Sequence, residues 1–103
     1  MEQINNLEQR KRSLEEKIER AKFCKKEVAR KVQELINQYD LGNLSYKEYE
    51  SLIEEAFGKR KPQEWLDYYD SYIKECTNSI KLIEKDITKS RVKSLAIKIV
   101  PIV

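Results

Sequence analysis

From Ile4 to Tyr39 the apolar residues recur at alternating three- and four-residue intervals: Ile4, Leu7, Leu14, Ile18, Ala21, Val28, Val32, Leu35 and Tyr39. Only two of the eleven positions on this line are filled otherwise, by Lys11 and Lys25. A seven-residue repeat of this kind puts every member on one narrow stripe of a single α-helix about 55 Å long. A stripe that narrow leaves the helix unstable alone, so it must lie against a second seam. The remaining faces carry Glu8/Arg12, Glu16/Arg20 and Glu27/Lys31, acidic residue first and four apart, the favourable order on a solvated helix.

The second seam comes after two punctuation points. Gly42 suits the left-handed end of the first helix near Asp40. Ser45 followed by Glu48 reads as a capping box that opens a short helix over 46–57, with Tyr49, Leu52, Ile53, Ala56 and Phe57 as its apolar side. Gly58 ends that helix, Lys59, Arg60 and Lys61 form a basic loop, and Pro62 stands where the first residue of a helix needs no amide proton. Leu66, Tyr69, Ile73, Cys76, Ile80, Ile83 and Ile87 then form an unbroken seam, after which the phase slips and resumes at Val92, Leu95 and Ile99.

Two seamed helices about 20 residues apart fold back on each other. The expected fold is therefore all-α: an antiparallel, coiled-coil-like hairpin with a short third helix at the turn. It forms a single domain over 1–100, with helix 1 at about 3–40, the short helix at about 46–57 and helix 3 at about 62–90, extending toward 100. If Tyr39 is level with Gln63, Cys24 lies level with Asn78 and becomes the cross-hairpin neighbour of Cys76. At the other end Ile4 and Leu7 then face Leu95 and Ile99.

Composition narrows the functional classes. Charged residues make up 38% and hydrophobic ones 40%, which fits an elongated helical body better than a globule. The 21 basic and 18 acidic residues are interleaved, as on solvated faces laced with ion pairs. Histidine is absent, removing the commonest general base and metal ligand, and no nucleophile–base set or phosphate-cradling glycine loop is present. Neither catalysis, a cofactor, a metal nor a small-molecule substrate is expected. The start carries no basic run followed by an apolar core, so a cytoplasmic location is the default.

Several groups are candidates for function. Cys24 and Cys76 read as two small seam residues or as a disulfide, and metal binding by the pair is remote because zinc wants four ligands. Trp65, Tyr68, Tyr69 and Tyr72, joined by Tyr46, Tyr49 and Phe57 from the short helix, read as a small core where three helices meet or as an interface patch. Phe23 and Ile36 leave further apolar surface outside the seam. Lys11 and Lys25 either set register or extend from the seam edge into water. The apolar tail 94–103, preceded by Lys85, Lys89, Arg91 and Lys93, closes the hairpin, leads into a membrane anchor or serves as a sticky strand; at about ten residues it is too short to span a bilayer.

These features point to a non-enzymatic oligomerisation or adaptor module, working through the seam and the aromatic patch. Its partner is expected to be a second copy or another protein, with membrane proximity through the tail. The alternative is a small helical nucleic-acid-binding protein using Lys22, Lys25, Lys26, Arg30 and the loop Lys59, Arg60 and Lys61. Leu41 to Ile53, LGNLSYKEYESLI, resembles the Gly-x-Ile/Leu-Ser/Thr-x-x-Glu-Tyr/Phe turn of short C-terminal oligomerisation motifs in bacterial proteins. The same pattern arises at any junction of helix, glycine, capping box and helix.

Overall fold

The computed structural model describes the backbone of residues 2–99 and the side chains of residues 3–93. Three helices account for nearly all of it: α1 (Glu2–Asp40), α2 (Tyr46–Phe57) and α3 (Pro62–Ile99). α1 and α3 pack antiparallel along their length, and α2 lies against α1 at the turn. The molecule measures 84 × 21 × 16 Å with a radius of gyration of 22.8 Å, against about 13 Å for a compact chain of this length. It is an elongated helical hairpin. No helix among the described residues is long and apolar enough to cross a membrane.

Local chemistry fixes where the helices stop. The amide of Asn43 donates to the Gln38 carbonyl and that of Gly42 to the Tyr39 carbonyl, both at 3.0 Å, with Gly42 at φ 80°. This is the Schellman ending, and the left-handed residue it requires is the glycine. At the start of α2 the Glu48 amide donates to the Ser45 hydroxyl while the Ser45 amide donates to the Glu48 carboxylate, each at 3.2 Å. Both halves of the capping box are present, so two otherwise orphaned amides are satisfied.

The core is a single line. Ala21, Val28 and Leu35, each seven residues from the next, are buried on α1, and Cys76, Ile83 and Ile87 are buried on α3. No residue of α2 is buried, so this helix covers part of the hairpin without closing a second core. Val92 is 58% exposed while Ser90, three residues after Ile87, is half-buried. The seam therefore continues through Ser90 in unbroken phase, and Val92 lies off it. The expectations for Leu95, Ile99 and the tail 94–103 concern side chains outside the described residues.

Register is set by charges at the seam edge. Lys25 reaches Asp70 at 2.6 Å and Lys11 reaches Glu84 at 3.3 Å. Fourteen residues separate the two lysines and fourteen separate the two carboxylates, two heptads on each helix. Counted from these pairs, Pro62 is level with about Gln33, and Gln63 with about Val32 rather than Tyr39. The helices are thus offset by one heptad from the expected alignment. A slip of seven residues returns the same faces to the seam, so the apolar pattern does not distinguish the two. What does distinguish them is α2, which needs the last turns of α1 as its own platform: Tyr39 packs on Tyr49 and Tyr46, with ring centroids 5.7 and 6.3 Å away.

The offset also separates the cysteines. Cys24 is level with about Ser71, leaving Cys76 five residues, or about 7 Å, further along α3. Both are free thiols, Cys24 beside Tyr69 and Cys76 beside Tyr72.

Candidate functional site: an unsealed flank of the hairpin

A two-helix hairpin has two flanks, one on each side of its buried line, and here their chemistry differs. On one flank three ion pairs bridge the helices: Lys25–Asp70, Lys11–Glu84 and Glu8–Arg91, the last at 3.2 Å. Glu8, Lys11, Arg12, Glu15, Glu84, Thr88 and Arg91 make this a polar groove laced across by charges. Among the described residues, every ion pair that crosses the hairpin lies here.

The opposite flank has no such bridge. Its floor is apolar and aromatic: Leu14, Ala21 and Cys24 from α1, and Tyr68, Tyr69, Tyr72, Leu82 and Ile83 from α3. Tyr68 is 49% exposed beside the half-buried Tyr69, and Leu82 is 62% exposed directly beside the buried Ile83. At the turn end this flank is covered. The α2 residues Ala56 and Phe57 sit with Phe23, Cys24, Val28, Trp65 and Tyr69, and the Trp65 indole N–H donates to the Phe57 carbonyl at 3.0 Å. From Cys24 back toward Arg10 no third helix covers it among the described residues.

The rings of α3 are held in order by their spacing. Residues three, four and seven apart share a helix face. Trp65 stacks with Tyr69 at 6.2 Å and Tyr68 with Tyr72 at 6.4 Å, while Tyr68 meets Tyr69 edge-on at 5.4 Å. Arg60 lies over Trp65 and Tyr68, its guanidinium carbon 5.2 and 5.7 Å from the two ring centres, a cation–π contact that ties the loop to the patch. Burial, followed by the neighbouring Cys24 thiol, raises the Tyr69 phenol above its usual value. Burial and the Cys76 thiol do the same for Tyr72, opposed by the charge of Arg20 across the groove.

The sequence-derived candidates separate accordingly. Trp65, Tyr68, Tyr69 and Tyr72 do form one surface, and Phe23, 64% exposed, stands at its edge beside α2. Tyr46 and Tyr49 do not join it; with Tyr39 they form a second cluster at the tip. Ile36 is half-buried, one position beyond Leu35 on the ion-paired side. The aromatic patch is thus a half-exposed surface rather than a closed three-helix core. The sequence placed Leu14 on the seam and Arg20 in a solvated pair with Glu16; Leu82 and Lys17 belong to the flank and were not singled out from the sequence. The signal was their seven-residue spacing with patch members, as in Lys17 and Cys24 or Tyr68, Glu75 and Leu82.

The basic residues of the nucleic-acid reading are scattered among carboxylates. Lys25 is paired to Asp70, Lys22 to Glu19, and Arg30 to both Glu27 and Glu34. Arg60 is engaged by the rings, and Lys26, Lys59 and Lys61 are exposed. Phosphate binding gains from a face free of acids, and these residues do not share one. No family model matches the chain, and no curated protein or solved structure matches it significantly.

Proposed function

We propose that this chain is a non-enzymatic oligomerisation or adaptor module whose working surface is the flank that lacks ion pairs. One observation carries the reading: the same hairpin seals one flank with three cross-helix charge pairs and leaves apolar and aromatic side chains exposed on the other. A surface with no role in contact gains nothing from concentrating its apolar area on one side, where water must be ordered around it. Tyrosine and tryptophan with a leucine neighbour are also the residue types that dominate the energetics of protein interfaces.

The fold supports this directly. α2 is an amphipathic helix resting on the turn end of that flank. Through Ala56 and Phe57 it borders the flank at that end, and the stretch from Cys24 toward Arg10 continues the same apolar line. Sedimentation equilibrium tests the reading by comparing Leu82→Glu on the open flank with Thr88→Glu on the sealed one. The first should weaken self-association tenfold or more, the cost of setting a charge in an apolar contact. The second should change it less than twofold. Equal effects would contradict the choice of flank, and no association to weaken would contradict the oligomerisation role.

A further inference from the structure

The open flank is electrically polarised across its width. Over the stretch from Arg10 to Cys24 its α1 edge carries Arg10, Lys17 and Arg20, and its α3 edge carries Glu75 and Asp86, all of them exposed; Lys89, seven residues after Leu82, lies beyond it. By the register of the ion pairs, Arg20 is level with Glu75 and Arg10 is level with about Asp86. Leu14 lies on the seam beside the α1 edge, while Leu82 and Tyr72 share the lines of α3 that carry Glu75 and Asp86. A groove that is basic on one edge and acidic on the other complements its own copy when the two faces are apposed about a twofold axis along the hairpin. Such an axis preserves level and exchanges the edges, so each α1 lies on the other copy's α3.

We infer that the occupant of the open flank is a second copy of this chain, with α1 of each copy against α3 of the other. Arg20 then pairs with Glu75 of the second copy, and Arg10 with Asp86 of the second copy. This rests on the proposed assembly role and specifies its partner and orientation. Leu14 and Leu82 stand at nearly the same level, so each leucine meets its counterpart from the other copy between the charge pairs. Because Ala56 and Phe57 of α2 border the flank beside Cys24 and Val28, the contact spans the stretch from Arg10 to Cys24, about 20 Å, and the copies cross there as packed helix layers do. The turn ends, each carrying its own α2, diverge.

The symmetry gives a test that a folding defect does not imitate. Arg20→Glu and Glu75→Arg each set like charges against each other in a homodimer. In a heterodimer of the two variants every such pair is opposite in sign, while within each chain the groove remains like-charged on both edges. Each variant alone should dissociate about tenfold more readily than the parent, since each dimer turns two attractive pairs into repulsive ones. An equimolar mixture should return to within about threefold of the parent, with helical circular dichroism unchanged throughout. A mixture that stays as weak as its components, or variants that associate as the parent does, would overturn this orientation. If Leu82→Glu still weakens association in that case, the assembly role stands and only the pairing falls. A parent chain that never associates removes both.

Discussion

The Lys25 ammonium meets the Asp70 carboxylate at 2.6 Å across the hairpin, on the flank opposite Tyr68, Tyr72 and Leu82. A lysine on a coiled-coil seam costs apolar burial, and here that cost is offset by a bond which selects one alignment over its one-heptad alternatives. Both partners remain about half exposed, so the bond is modest in energy. A double-mutant cycle of Lys25→Ala and Asp70→Ala should give a coupling of about 0.2–1 kcal/mol that shrinks at molar salt. Coupling that is large and insensitive to salt would contradict this account of the edge.

Adjacent residues on α3 should behave in opposite ways. Ile83 is 5% exposed and Leu82 62%. Ile83→Ala leaves a cavity in the seam and should cost about 2–4 kcal/mol in urea unfolding. Leu82→Ala removes little that is buried within one chain, so at high dilution it should cost under about 0.5 kcal/mol. Its effect should appear instead as a concentration dependence of the melting temperature weaker than the parent's.

Two positions hold α2 by different means. Ser45→Ala removes the hydroxyl that accepts the Glu48 amide and should cost about 1 kcal/mol, seen as faster amide exchange in the first turn of α2. Gly58 has φ 69° and ψ −148°, and an added Cβ there would meet nothing within 4 Å. The penalty of Gly58→Ala is therefore one of backbone conformation alone, about 1–3 kcal/mol. It should release α2 and expose Trp65, whose indole is bonded to Phe57. A red shift in emission from the single tryptophan reports this.

Alkaline pH should loosen the patch. Burial raises the Tyr69 phenol above the ordinary 10.0, so the folded chain keeps a proton that the unfolded chain gives up. Stability from this group is complete below about pH 10 and is lost as pH rises through the higher folded value. Tyr69→Phe should flatten that decline. An unchanged alkaline slope in the Phe variant would show that Tyr69 is not its source.

The hairpin itself was legible because its evidence is periodic: Ala21, Val28 and Leu35 on one helix and Cys76, Ile83 and Ile87 on the other keep a heptad spacing that no loop or strand imposes. The ends at Gly42 and Ser45 were legible for a local reason, since each rests on residues within one turn of it. The alignment of α1 on α3 was not, because a seven-residue slip leaves the seam pattern unchanged and the decision falls to Lys11, Lys25 and the space taken by α2. That misplaced the cysteines by one heptad, about two turns, and put Tyr39 in the seam instead of at the tip. The aromatic patch could be located from the spacing of Trp65, Tyr68, Tyr69 and Tyr72. Its one-sidedness could not, because a flank emerges only when both helices are aligned and the ion pairs are seen to gather on the other side.

The central claim is that the open flank is covered by another chain, a second copy. Light scattering from the purified protein over a wide concentration range tests it most directly. The account predicts a mass near twice 12.3 kDa that falls toward 12.3 kDa on dilution and is restored by concentration. A mass of 12.3 kDa at every concentration would contradict it.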